Sequence, residues 1–171
     1  MVTSPQISLK NISLAFGEEP VFDKLNLIIH PRDRIALVGR NGSGKSTLLK
    51  ILKGLVAQDG GERMLSKGLS IGYMEQDPNF SEFSTLHDYV YAGASDSTFH
   101  LIEMAGKNLG VDLEVSTSAS SGGERRRAAL TKLIAGDHDV MLLDEPTNHL
   151  DIIAIEWLES ELKHCKKSFV I

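Results

Sequence analysis

Cysteine is almost absent: the 171-residue chain carries one, Cys165. It cannot close an internal disulfide, which fits a reducing compartment such as the cytosol. Set among Lys163, Lys166 and Lys167, it reads as an inert thiol at a basic, solvated helix end. Positive charge is not in excess either. With 18 Lys and Arg against 23 Asp and Glu, the net charge is −5, which excludes a broad basic surface for nucleic acid but not a local patch. No apolar run approaches the roughly 20 residues that a bilayer crossing needs. Residues 1–10 alternate polar and apolar side chains and lack the apolar core of a secretory signal. Direct membrane insertion is therefore not expected, and the cytoplasm is the expected location. There is no internal repeat and no low-complexity tract. His30, His87, His100, His138 and His164 are scattered without ligand spacing, so no transition-metal site is expected.

What is present is an ordinary globular composition, 42% hydrophobic and 24% charged, in a length that suits one domain with a small subdomain. Ile7, Leu9, Ile12 and Leu14 recur among polar neighbours as in a β-strand, and a turn follows at Gly17 to Pro20. Residues 21–30 form a second apolar-rich segment. Arg34 to Val38 reads as a short, buried central strand stopping at a glycine. Leu48, Leu49, Ile51, Leu52 and Leu55 then repeat at helical spacing. Gly60-Gly61 reads as a turn and Leu69 to Met74 as another strand. The texture changes between Pro78 and Ser118, where two short helical patterns, Thr85–Tyr91 and His100–Leu109, are separated by Gly, Ser and Asp. A helix from Glu124 to Ala135, a buried strand Val140–Leu143, a helix Ile152–Leu162 and a strand from Ser168 complete the pattern. The expectation is an α/β fold with residues 1–77 and 119–171 as its core and 78–118 as a small helical insertion.

The strongest motif is Gly39-Arg40-Asn41-Gly42-Ser43-Gly44-Lys45-Ser46-Thr47, which fills G-x-x-x-x-G-K-[ST] between a strand and a helix. Its glycines let successive backbone N–H groups point at phosphate oxygens. The helix start adds a positive dipole end, Lys45 can reach β- and γ-phosphates, and Ser46 offers a hydroxyl to Mg²⁺. No G-x-G-x-x-G register passes through it, so it is not a dinucleotide fingerprint. Further on, Val140-Met141-Leu142-Leu143-Asp144-Glu145 is an apolar strand ending in two acids. Alone this is as much a helix-cap pattern as a catalytic one. Paired with a phosphate loop, Asp144 is placed to hold the Mg²⁺ shell and Glu145 to deprotonate water. Ser121-Gly122-Gly123-Glu124, before Arg125 to Arg127, is a turn opening a helix, equally readable as an N-cap.

Together these residues resemble the ABC ATPase family, over nearly the whole chain except residues 78–118. The resemblance implies a P-loop NTPase core, a mixed sheet with flanking helices and an antiparallel N-terminal part, binding ATP with Mg²⁺ and hydrolysing it. It implies that Ser121, Gly122 and Gly123 form the signature that meets a partner's nucleotide. It implies further that Gln76 is the Q-loop residue sensing metal and γ-phosphate, and that Phe16 stacks on adenine, where the residues alone equally allow a strand-core aromatic. The run Asp144-Glu145-Pro146-Thr147-Asn148-His149-Leu150-Asp151 resembles the ABC-F branch, soluble paired ATPases acting on the ribosome. The partners so implied are a second ATPase domain in a head-to-tail sandwich and the ribosome or tRNA. The alternative is the ATPase subunit of a membrane transporter, contacting it through residues 78–118. A nucleotide switch without turnover is disfavoured by Glu145, and a DNA-end-holding ATPase by the lack of room for a long coiled coil.

The sequence departs from the family pattern in two ways. Ser120 stands where the signature usually opens with Leu, which implies weaker packing behind that turn. The stretch between Gln76 and Ser121 leaves little room for the long helical arm of many ABC-F proteins. A switch histidine is expected just past the strand starting at Ser168. The expectation is thus a chain cut short before it, binding Mg-ATP or ADP but hydrolysing ATP slowly alone.

Overall fold

The computed structural model describes residues 4–17, 19–74 and 78–171. In chain order the elements are β1 (Ile7–Phe16), β2 (Glu19–Ile29), β3 (Arg34–Ile35), α1 (Lys45–Lys53), β4 (Gly60–Leu65) and β5 (Ile71–Met74). There follow α2 (Leu86–Tyr91), α3 (Asp96–Asn108), α4 (Gly122–Ala135), β6 (Val140–Leu143), α5 (Ile152–His164) and β7 (Ser168–Val170). They form two compact units, one of Met1–Tyr73, His138–Asp144 and Lys166–Ile171, the other of Met74–Asp137 and Glu145–Cys165.

In the first unit β1 is the centre of an antiparallel sheet ordered β2-β1-β4. Ile7 and Leu9 point inward on alternate residues, then the inward set resumes at Ile12 and Leu14. The skipped residue is a β-bulge: both pairings of β1 shift register there, and Asn11 takes a φ of 51°. Asn26 holds the bulge, its Oδ1 accepting from Asn11 N–H at 2.9 Å. A bulge inserts one unpaired residue and re-aims the strand. It also explains Gly60-Gly61, which begin β4 rather than form a free turn. A Cβ on Gly61 would lie 2.3 Å from the Asn11 carbonyl oxygen, and its φ is 89°.

The second sheet has the order β3-β7-β6-β5, with β7 parallel to both β3 and β6. All four residues of β6 are buried, as a central parallel strand requires. The strand expected at Arg34–Val38 is shorter and less buried than its composition suggests. Only Arg34 and Ile35 are strand, and Val38 is 96% exposed. The reason is position: β3 lies at the edge of the described sheet, hydrogen-bonded to β7 alone.

Leu48, Leu49, Ile51 and Leu52 of α1 pack with the inward residues of β1 and with Val140, Leu142 and Val170. The C-terminal end of α1 is anchored twice. Arg63 donates from Nε and Nη2 to the Leu52 carbonyl at 3.2 and 2.7 Å, and Lys53 Nζ donates to the Ile71 carbonyl at 2.5 Å.

The second unit is helical. Phe80, Leu86, Val90, Ile102, Ala128 and Ala135 form its core. Thr85 with Asp88 and Ser121 with Glu124 make reciprocal capping boxes that start α2 and α4. Asp151 caps α5 by accepting from Ala154 N–H at 2.9 Å. α3 begins at Asp96, four residues before the apolar spacing indicates, because its first turn, Asp96 to Phe99, is exposed apart from Thr98 and opens on polar residues. Lys132 of α4 donates to the Tyr89 carbonyl at 2.8 Å with its ammonium 4.5 Å from the Tyr89 ring centre, and burial holds it below the ordinary lysine pKa. No described helix is long and apolar enough to cross a membrane.

Candidate functional site

Backbone geometry dictates the part of the site that lies in the first unit. From Ala36 to Gly44 the chain runs without strand or helix into α1. Gly42 and Gly44 have φ values of 82° and 90°, a region that costs an L-residue about 1–2 kcal/mol. Space adds a second constraint at Gly44, where a Cβ would fall 2.7 Å from Val21 Cγ1 and 3.0 Å from Phe22 Cζ. At Gly39 a Cβ would meet Ser43 Oγ at 2.5 Å. The Ser43 N–H donates to the Arg40 carbonyl at 3.1 Å, and the loop closes into a cradle of backbone with Arg40 and Asn41 exposed.

α1 opens on this cradle. Gly44 is its N-cap, with no side-chain cap and no acidic residue in the first turn. The positive end of the helix is therefore left for an anion to meet. Lys45 Nζ donates to the carbonyls of Gly39 and Arg40 at 2.8 and 3.1 Å. These neutral acceptors hold the ammonium at the loop without cancelling its charge. Ser46 and Thr47, half-buried, complete the first turn.

Phe16 ends β1 with 63% of its surface exposed, so it is not a core aromatic. With Glu19, Pro20, Val21, Gly42 and Ser43 it lines a pocket of about 300 Å³, at the small end of the range for ligand sites. Asp144 follows the last residue of β6 and is 2% exposed. α1 packs against β6 within the same unit.

The second unit holds Glu145 and the Ser121 turn. Glu145 is exposed, and its φ of 48° is left-handed. Pro146 and Thr147 carry the chain through a turn closed by the Asn148 N–H donating to the Glu145 carbonyl at 3.2 Å. Asn148 Nδ2 donates to Glu145 Oε2 at 2.7 Å. Arg126 Nη2 reaches the same Glu145 carbonyl at 3.3 Å, and Arg127 Nη1 the His149 carbonyl at 3.5 Å. The turn is thereby tied to the first turns of α4. A Cβ on Gly123 would lie 3.8 Å from that of His149.

Ser121 is the N-cap of α4 and Gly122 its first residue. The Ser121 hydroxyl accepts from Glu124 N–H at 3.2 Å and donates to Glu124 Oε2 at 2.7 Å. These bonds, the hydroxyl's first and that of the Ser121 N–H second, hold the Glu124 carboxyl below its ordinary pKa. The Ser121 hydroxyl is thus engaged in the cap, while Gly122 leaves open space where a side chain would stand.

The first unit therefore brings Phe16 beside Gly42 and Ser43 of the loop and also carries Asp144, at the end of the strand against which α1 packs. The second ties the turn at Glu145 to the start of α4, where Ser121, Gly122 and Gly123 lie. Gln76 lies outside the described residues. Sequence reasoning does not assign Asn148, Arg126 or Arg127 to the site. The available signal is an amide three residues after the acid in a Pro-containing turn, a spacing at which side chains i and i+3 can meet.

The ABC transporter family model matches residues 22–148. The chain is 47% identical over 169 residues to the ATP-binding protein Uup of Caulobacter vibrioides, covering 98% of this chain and 27% of that one. It is 33% identical over 196 residues to the energy-dependent translational throttle protein EttA of Mycobacterium tuberculosis, covering 91% and 35%. The chain thus spans about a third or less of the length of these relatives. A solved structure of the ATP binding subunit of an ABC transporter superposes with a TM-score of 0.84, at 19% identity, over 96% of this chain and 78% of that one. That likeness is one of fold.

Proposed function

Because the chain belongs to the ABC transporter family, we propose that it is the ATP-binding and hydrolysing domain of an ABC-F-like ATPase acting in translation. The observation that carries the proposal is the cradle at Gly39 to Gly44. Gly42 and Gly44 hold left-handed backbone, a side chain at Gly39 or Gly44 would crowd Ser43 or Val21 and Phe22, and the Lys45 ammonium is held at its mouth. Such a cradle suits anionic oxygens, among them those of a polyphosphate.

In this reading the backbone amides of residues 42–47 and the Lys45 ammonium bind the β- and γ-phosphates. Phe16 offers its exposed ring to the adenine from the pocket beside Gly42 and Ser43. The buried carboxylate of Asp144 and the Ser46 hydroxyl fit Mg²⁺, a hard cation that takes a few protein oxygens and fills its shell with phosphate and water. When bound, that ion neutralises charge developing on the phosphates. Glu145, next along the chain from Asp144, takes the proton of the attacking water. Gln76 senses the γ-phosphate, and the turn at Ser121 to Gly123 serves the nucleotide of a second ATPase domain. Along the sequence, we assign residues 1–77 and 119–171 to the ATP-binding part and 78–118 to a helical insertion, whose core in the fold is shared with α4. The translational role is supported by the function that EttA's name carries and by the run Asn148-His149, and with it we place the protein in the cytoplasm, with the ribosome as partner.

The reading is tested by Glu145→Gln in the protein at its natural length. ATP affinity is expected to persist while hydrolysis falls at least ~100-fold, the scale of losing a general base. Near-normal turnover would refute the base role. The same variant, held with ATP, is expected to co-sediment with ribosomes; its absence from the ribosomal pellet would remove the translational assignment.

A further inference from the structure

Glu145 is exposed, so burial does not orient its carboxylate. An exposed glutamate samples several rotamers, and freezing them has an entropic cost. Something other than packing must aim this side chain if it is to work as a base. Two hydrogen bonds from one residue do so. Asn148 donates its backbone N–H to the Glu145 carbonyl at 3.2 Å and its side-chain Nδ2–H to Glu145 Oε2 at 2.7 Å. The second distance is at the short, charge-assisted end of the N–H···O range.

From this geometry, and resting on the reading of Glu145 as the base, we propose that Asn148 is a positioning residue that fixes the Glu145 carboxylate to take the proton of the attacking water. The two bonds close a ring over residues 145–148 that constrains Glu145 at both its backbone and its carboxylate. One carboxylate oxygen is engaged, and Oε1 is left to receive the water proton. The residue type matters. An amide donates without carrying charge, so it orients the carboxylate without competing for its role as a lysine in an ion pair would. The left-handed φ of 48° at Glu145 adds need for such a hold, since a non-glycine residue stays in that region only when its surroundings over-determine it. Arg126, through the same carbonyl, contributes to the backbone part of the hold and not to the carboxylate.

The test is made in the protein at its natural length, with turnover and ATP affinity measured side by side. Asn148→Ala is expected to lower kcat about 10- to 100-fold, the scale of misplacing a catalytic group by an ångström, with Kd for ATP changed less than about twofold. Asn148→Asp keeps the size and removes the donor, and it is expected to lose at least as much. In a Glu145→Gln background, Asn148→Ala is expected to change the residual rate by less than about twofold, because the group it positions is already gone. Normal kcat in Asn148→Asp, an affinity that falls in step with kcat, or an equal loss in both backgrounds would each overturn the proposal. Should Glu145→Gln itself leave turnover intact, the failure lies with the base assignment.

Discussion

The glycine loop at residues 39–44 and the turn at residues 145–149 both use left-handed backbone, and they hold it in opposite ways. In the loop the positive φ values fall on Gly42 and Gly44, where they cost little because no Cβ is present. In the turn they fall on Glu145 and His149, where the strain must be held by neighbours: Asn148, Arg126 and Arg127 bond to the turn's carbonyls and to the carboxylate. The difference follows the chemistry. A phosphate cradle works through backbone N–H groups and needs side chains out of the way. A base works through its side chain, so its residue type is fixed and its backbone must be made to fit. Glycine supplies the first by itself, and a network supplies the second.

The sharpest way to break this comparison is Gly44→Ala. Left-handed strain and the approach to Val21 Cγ1 at 2.7 Å and Phe22 Cζ at 3.0 Å are expected to cost about 1–3 kcal/mol in denaturant unfolding. A loss below about 0.5 kcal/mol would mean the loop does not depend on its glycine. Next comes Lys45→Ala, which removes one side chain from an otherwise backbone site. ATP binding is expected to weaken about tenfold or more, as for the loss of a charge-assisted contact, without unfolding; unchanged affinity by calorimetry would sink the phosphate-loop assignment. A smaller effect of opposite sign is expected from His149→Gly. Relief of the φ of 65° outweighs the added freedom of the unfolded chain and should raise stability by about 0.5–1 kcal/mol. A clear loss of stability would show that the His149 side chain, and not the network, holds the turn.

The smallest expected effect concerns the cap beside that turn. Glu124 is held below its ordinary pKa, chiefly by the Ser121 hydroxyl, so its ionised form is the one the fold favours. Its contribution is complete above the ordinary glutamate range and is lost as pH falls through the lowered value. Melting temperatures of the protein and of Glu124→Gln are therefore expected to differ at neutral pH and to converge in acid. A gap that stays constant with pH would exclude an ionic cap.

The same contrast explains what is legible in the residues before the fold is known. The phosphate loop is legible because its chemistry demands glycines at fixed spacing, and β6 is legible because a strand buried on both faces tolerates only apolar residues such as Val140 to Leu143. Phe16 is ambiguous by sequence, since an aromatic after a strand fits a core as well as a ligand pocket; its exposure resolves this against the core. β4 is hidden because Gly60-Gly61 has the look of a turn, whereas Gly61 answers to the Asn11 carbonyl of a distant strand. β3 looks central by composition, yet a run of Ile, Ala, Leu and Val does not say which neighbours pair with it. The bond between Asn148 and Glu145 is out of reach for another reason: composition shows the amide, but only the turn's dihedrals bring it onto the carboxylate.

The double anchorage of α1 has a consequence of a different kind. Arg63 and Lys53 tie down the end of the helix away from the phosphate loop, and nine residues of helix, about 14 Å, carry that fixture to the cradle. The helix is then a strut with one end set in the sheets, and the donors at its other end are ordered before any ligand arrives. Association should lose little conformational entropy there, leaving affinity to reflect the contacts themselves. A nucleotide meeting this loop would find a mould already cast rather than one that forms around it.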